Sequence, residues 1–336
     1  MMGNAKNKEA ILEVRNLNLF FPLREGRLNR VVGTKKVVND VSFRIEKGET
    51  LALVGESGCG KTELIRSILG IDPKTSGEII YNGKNTDEMT QDEKKKMLYH
   101  APIIFQDTGA ALHPRMTIEE TLTEPLILSG WKDPEKRRAE VKRIMDQVGL
   151  DESFRDRYPH QISGGQRQRV VIARALIVQP EIILADEPIS ALDVSLQAQI
   201  INLLIDLQEA YNMGILLIAH DLAIVRQIAS NIMIMYLGRI MESAPAADIY
   251  KNAKHPYTKV LLTAAPSITR GIRDLGFRLD LKVGDTPDMA HPPKGCPFCT
   301  RCVFADERCC EEDPKEDWIA EGHMVRCHHW KALEGK

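Results

Sequence analysis

The chain has 336 residues, enough for about two domains, and its 43% apolar and 27% charged residues are ordinary for a soluble globular protein. A net charge of −2 removes the electrostatic case for nucleic-acid binding. Apolar runs such as GILLIA fall far short of the roughly 20 residues of a membrane span, and MMGNAKNKEAILEV lacks a signal-peptide core, so a cytosolic chain docked on something else is expected.

In chain order, ILEVRNLNLFF alternates as a strand, REGRLNRVVGTKK is basic and reads as a loop, and VVNDVSFRIEKGE gives a second strand and a turn. These predict an antiparallel edge beside the next strand, ETLALV. That strand runs into GESGCGKT, Gly55 to Thr62, which meets the P-loop pattern at every fixed position. Gly55, Gly58 and Gly60 let the backbone bend so that successive N–H groups face phosphate oxygens, and the following helix start adds positive potential. Lys61 is placed to reach the β- and γ-phosphates, and Thr62 to offer its hydroxyl to Mg²⁺. Glu56, Ser57, Cys59 and Glu63 complete the candidate ATP-binding stretch.

GEIIYNGK predicts a hairpin arm, and IIFQ, Ile103 to Gln106, a short strand. Residues 107–180 contain no convincing long strand. Val141, Ile144, Met145 and Val148 share a helical face, and Asp133–Pro134 is a plausible helix start. The region therefore reads as a helical insertion. The α/β pattern resumes with EIILADEP, a strand buried on both faces, then a stripe of Ile200, Leu203, Leu204 and Leu207, then GILLIAH, and finally NIMIMYLGRIMES as strand, glycine turn and strand. The pattern is α/β with a mostly parallel sheet. From about 255 proline and cysteine rise and periodicity fades.

Asp186 and Glu187 close a buried strand, as a pair that orients Mg²⁺ and polarises the attacking water. In HQISGGQRQRVVIARAL, Ser163 can cap a helix while Gly164, Gly165 and Gln166 expose N–H groups at its positive end. This is a second phosphate-binding device in the same chain, and the economical reading is that it serves a nucleotide held by a second subunit. Gln106 and His220 each end a strand, where Gln106 could sense Mg²⁺ or water and His220 the γ-phosphate.

With these residues in family order, the chain resembles the ATP-binding subunits of ABC transporters. Walker A is Gly55–Thr62, the Q-loop residue Gln106, the signature Ile162–Gln166, Walker B ends at Asp186 with Glu187 beside it, the D-loop is Ser190–Asp193 and the switch residue is His220. FFPLREG, VGESGCGK, the FQD and LHPRMT segments, SGGQRQR and HPYTKVLL are similar to the oligopeptide/dipeptide (and nickel) importer subgroup. The resemblance implies a P-loop (RecA-like) α/β core with an antiparallel β subdomain and the helical insertion in residues 1–254, and a small Cys-rich extension in 255–336. It also implies ATP and Mg²⁺ as cofactors. The implied partners are a second, non-identical ATP-binding subunit facing it head to tail, two transmembrane permease subunits and an extracytoplasmic solute-binding protein, at the cytoplasmic face of the membrane and with no nucleic acid. The rival is a soluble ABC-type ATPase acting on nucleic acid or ribosomes, against which stand a single cassette, no heptad run and no basic excess. By position, Phe21 is the candidate to stack on adenine, with Phe20 as competitor. Glu63 departs from the family's usual Thr or Ser and should repel phosphate unless it turns away.

Six of seven cysteines crowd into the tail, and in a reducing compartment such a cluster reads as metal binding before disulfide. The four thiolates Cys296, Cys302, Cys309 and Cys327 fit the subgroup's spacing and suit an iron–sulfur cluster or Zn²⁺. CPFCTRC also holds two overlapping C-x-x-C units with zinc-like spacing. The resemblance favours a 4Fe–4S cluster. Cys299 and Cys310 read as spares, and His323, His328 and His329 as neighbours that do not ligate.

Overall fold

The computed structural model describes residues 10–25, 30–190, 192–264 and 289–333. The remainder of the ranges 1–254 and 255–336, and Ala191 of the D-loop, lie outside the described residues. The elements begin with β1 (Ala10–Glu25), β2 (Arg30–Glu46), β3 (Thr50–Val54), α1 (Lys61–Ile68), β4 (Ser76–Tyr81) and β5 (Lys84–Asn85). Next come α2 (Gln91–His100), β6 (Ile103–Ile104), α3 (Thr108–Ala111), α4 (Ile118–Leu128), α5 (Pro134–Gln147) and α6 (Gly164–Leu176). Then follow β7 (Ile182–Asp186), α7 (Val194–Tyr211), β8 (Gly214–Ala219), α8 (Leu222–Ile228), β9 (Asn231–Tyr236) and β10 (Arg239–Pro245). The last are α9 (Ala246–Asn252), α10 (Pro256–Ala264), α11 (Glu307–Glu311), β11 (Asp317–Ala320) and β12 (His323–Val325). They form two compact units interleaved along the chain: Met1–Leu12, Ile45–Glu49 and Tyr81–Leu217 in one, and Glu13–Arg44, Thr50–Ile80 and Ile218–Lys336 in the other.

The first unit carries the helices of 107–180, and none of its described residues in that range is in a strand. Thr90, Thr117 and Ser163 each cap a helix through a reciprocal box with Glu93, Glu120 and Gln166. Asp133 caps α5, with Pro134 in its first turn, as the sequence predicts. Val141, Ile144, Met145 and Val148 are buried on one face of that helix and its end. Arg174 ties α6 to α4 by an ion pair with Glu124 at 2.8 Å and also donates to the Ala111 carbonyl. β6 and β7 pair in parallel, Ile103 opposite Leu184.

In the second unit the fully buried β3 pairs in parallel with β9, Leu51 opposite Asn231 and Val54 opposite Ile234. Leu237 and Gly238 take positive φ and turn β9 back antiparallel into β10. The order continues β3–β9–β10–β12–β11. This corrects two expectations. β1 and β2 lie not beside the P-loop strand but in a separate sheet, in the order β2–β1–β4. The sheet is also less parallel than predicted, because the tail adds β12 and β11 antiparallel to β10 and to each other. The basic stretch read as a loop is strand from Arg30 onward. Its exposed Val31 and Val32 show no in-and-out alternation, so the signal was missing.

One buried carboxylate fastens the tail to this sheet. Glu242 on β10 is fully buried and accepts from the backbone N–H groups of Lys254 and His255 at 2.7 and 3.0 Å. The His323 ring on β12 meets it at 2.9 Å. Burial pulls the His255 pKa down to about 4, so its neutral ring accepts from the Tyr257 N–H through Nδ1. Replacing Glu242 with Ala strands three polar groups in a dry interior, and it should lower unfolding stability by about 3 kcal/mol or more, read as a reduced urea midpoint at unchanged slope.

Candidate active site

Main chain packs closely against the phosphate loop at two glycines. A Cβ on Gly55 would lie 2.3 Å from the Met235 carbonyl oxygen, and one on Gly60 would lie 2.2 Å from that of Val37. Gly60 also has φ +105°, which side chains other than hydrogen strain to adopt. Lys61, the first residue of α1, is buried and turns its ammonium back into the loop, donating to the carbonyls of Gly55 at 2.8 Å and Glu56 at 2.9 Å. Thr62 is exposed at the helix start, and Glu63 is half-buried in the same turn. Ser57 and Gly58 are exposed at the loop tip. Burial raises the Cys59 thiol to about 11, and its sulfur lies close beside Gly55.

Glu56 is engaged at every polar group. Its N–H donates to the buried Tyr257 hydroxyl at 3.1 Å, its carbonyl accepts from Lys61, and its carboxylate takes Arg301 at 2.9 and 2.8 Å. Tyr257 and Arg301 are the residues that sequence reasoning missed. The one signal was an arginine lodged between Cys299 and Cys302. Phe21 on β1 is exposed at 38%, while Phe20 is partly covered and lies under the Lys36 ammonium.

In the other unit Asp186 is buried at the end of β7. Glu187 follows in the left-handed region at φ 46°, a conformation that non-glycine residues rarely hold outside functional turns. Gln106 donates to its carboxylate at 3.1 Å, so the Q-loop and the candidate base are brought together. Ser190 bonds the Glu187 carbonyl through its N–H and hydroxyl, and Asp193 caps α7. Ser163 caps α6 through its box with Gln166, leaving the first N–H groups of that helix, at Gly164 and Gly165, without a helical acceptor. Gly165 packs against Leu196, where a Cβ would sit 3.0 Å from its methyl group. His220 is exposed just beyond β8 in the second unit.

In the tail, Cys296, Cys299, Cys302, Cys309 and Cys327 line one small cavity, while Cys310 is exposed. Burial pushes Cys296 well up and holds Cys299 and Cys327 at about 12. Cys299, expected as a spare, therefore stands on the same cavity as the four expected ligands. His323 is held by Glu242, and His328 meets the Glu312 carbonyl at 2.9 Å. His329 lies closer to ligating groups than expected, its donor atom grouped with those of Asp306 and Cys309 within 4.8 Å.

Comparison with known proteins identifies the family. The ABC transporter family model matches residues 38–190, and the model of the oligopeptide/dipeptide transporter C-terminal region matches 241–309. The oligopeptide transport ATP-binding protein AppF of Bacillus subtilis is 43% identical over 96% of this chain and 98% of its own. The chain belongs to the ATP-binding proteins of ABC transporters. The dipeptide transport ATP-binding protein DppF of Haemophilus influenzae is 41% identical over 98% of this chain and 99% of its own. A dimeric ATP-binding cassette in a post-hydrolysis state, bound to ADP and Pi, is 30% identical with a TM-score of 0.61, covering 70% of this chain and 98% of that one. The protein is thus an ATPase of the P-loop class that uses ATP and Mg²⁺, and nothing favours the nucleic-acid alternative. Among the described residues no helix of this cassette is long and apolar enough to cross a membrane.

Gly60→Ala should cost about 3 kcal/mol of stability, from overpacking against Val37 plus the strained φ. It should also abolish nucleotide binding, read by titration with a fluorescent ATP analogue beside an unfolding curve.

Proposed function

We propose that the chain is one of two ATP-binding subunits that power an importer of di- or oligopeptides, seated at the cytoplasmic face of the membrane beneath two permease subunits that receive solute from an extracytoplasmic binding protein. The second ATP-binding subunit is a non-identical homologue. Residues 1–254 form the cassette, with its helical part at about 107–180, and 255–336 the extension. The relatives' names, oligopeptide and dipeptide transport ATP-binding proteins, support the solute class. The observation that carries the reading is the pair of anion-binding helix starts in one chain, at Lys61 and after Ser163. One triphosphate needs one such cradle, so Ser163, Gly164, Gly165 and Gln166 serve the nucleotide of the facing subunit.

Within the site, the loop Gly55, Glu56, Ser57, Gly58, Cys59, Gly60, Lys61, Thr62 and Glu63 takes the phosphates, and Phe21 takes the adenine. Thr62, Gln106 and Asp186 arrange Mg²⁺, Glu187 orients and polarises the attacking water, and His220 meets the γ-phosphate. The chemistry is phosphoryl transfer to water, governed by positioning and electrostatics. Glu187→Gln should retain nucleotide binding while steady-state turnover falls at least about 100-fold. Turnover like that of the parent in a phosphate-release assay would remove Glu187 from this role.

Cys296, Cys302, Cys309 and Cys327 suit a 4Fe–4S cluster, since these four thiols line one cavity, together with Cys299 and beside His328 and His329. When bound, the group would staple a segment with little core of its own. The proximity of Asp306, Cys309 and His329 favours Zn²⁺ as the second reading. Anaerobically purified protein should be brown, with absorption at about 400 nm from sulfur-to-iron charge transfer. Colourless protein carrying stoichiometric zinc would reverse the choice.

A further inference from the structure

Arg301 joins two parts of the molecule that the function so far treats separately. It sits between Cys299 and Cys302 in the cysteine loop, yet its guanidinium leaves that loop for the phosphate loop. Nη1 donates to both carboxylate oxygens of Glu56 and lies 3.4 Å from the Tyr236 hydroxyl. The guanidinium carbon stands 5.9 Å from the Tyr236 ring centre and 6.0 Å from that of Phe298. The side chain is only 11% exposed and its partner 29%, so the pair is far better shielded from water than an ordinary surface bridge.

Glu56 is the second residue of a loop whose task is to receive a polyanion. Its carboxylate is a negative charge at the edge of that anion site, and an unpaired one would oppose phosphate binding through a poorly screened path. Arg301 neutralises it. The same pair, with the Tyr257 hydroxyl accepting from the Glu56 N–H, also holds the Gly55–Glu56 peptide, whose Gly55 carbonyl accepts from Lys61.

We propose that Arg301 is a positioning residue of the nucleotide site: it neutralises and pins Glu56, so that the conformation of the cysteine loop sets the affinity of the phosphate loop for nucleotide. The proposal rests on the P-loop reading above. It makes the tail a tuner of ATP binding as well as a structural appendage. Because Arg301 acts through Glu56 of the phosphate loop, its effect belongs in binding and not in the chemical step.

The test is a double-mutant cycle on the full chain, with affinity for a fluorescent ATP analogue measured without turnover and thermal unfolding measured on the same samples. Arg301→Ala should weaken binding about tenfold, the size of coupling between contacting residues. KM should rise alongside while kcat stays near the parent's. Glu56→Gln removes the charge that Arg301 neutralises, and its own affinity is the reference for the second arm of the cycle. In that background Arg301→Ala should cost less than about twofold, because no charge is left to neutralise. Arg301→Lys, which keeps the charge, should recover most of the affinity, and it serves as the working variant if Arg301→Ala does not fold. Equal penalties with and without Glu56→Gln, or a lowered unfolding midpoint with unchanged affinity, would overturn the proposal and leave Arg301 a packing residue. Lys61→Ala is the control. If it binds like the parent, the phosphate-loop reading itself fails and the coupling fails with it.

Discussion

Backbone packed on backbone fixes the phosphate loop. Gly55 and Gly60 lie so close to the carbonyls of Met235 and Val37 that a methyl group fits at neither place. The loop is therefore confined by β9 and β2, and the side chains of Lys61, Tyr257 and Arg301 bond it in place. This suits an anion cradle, because N–H groups can be aimed at phosphate only if the chain cannot relax around an empty site. Lys61 meanwhile satisfies its buried ammonium on two carbonyls of the loop, which avoids the cost of an unpaired buried charge.

The candidate hydrolytic residues follow a different rule. Asp186 ends a fully buried strand, so its direction is set by the sheet. Glu187 is turned out of the strand by a left-handed backbone and is held by Ser190 at its carbonyl and by Gln106 at its carboxylate. The left-handed backbone at Glu187 re-aims the carboxylate at some cost in local stability. The signature helix spends its cap within itself, Ser163 with Gln166, and keeps its glycine N–H groups at the positive end.

Much of this was legible from residue order. GESGCGKT, the acid pair after EIILA, and the glycine-opened helix at Ser163 are local patterns whose chemistry depends on neighbours in sequence. The buried strands were legible for the same reason, since continuous apolar runs leave few other places for them. Long-range pairings were not. β11 and β12 escaped because each is short, the first is largely exposed, and their reason for being strands is the edge of β10 far away in sequence. The start of β2 escaped because exposed Val31 and Val32 give no alternation. Arg301 and Glu56 could not be paired from sequence at all, since 245 residues separate them.

The separation is instructive, because the tail is no detachable staple. Cys296, Phe298, Cys299, Cys302 and Cys309 belong to the same apolar cluster as Val54, Tyr236 and Tyr257. Tyr236, Tyr257 and Phe298 meet at ring distances of 4.7 to 5.3 Å. A core this continuous transmits displacement, since close-packed interiors yield little to local change. The Tyr257 ring that packs on Phe298 is the one whose hydroxyl receives the Glu56 N–H. The cysteine loop thus reaches the phosphate loop by two routes, an apolar one through Tyr257 and a charged one through Arg301. Both converge on the same residue, Glu56, whose carbonyl also faces Lys61, so a shift of that loop cannot leave the nucleotide cradle unchanged.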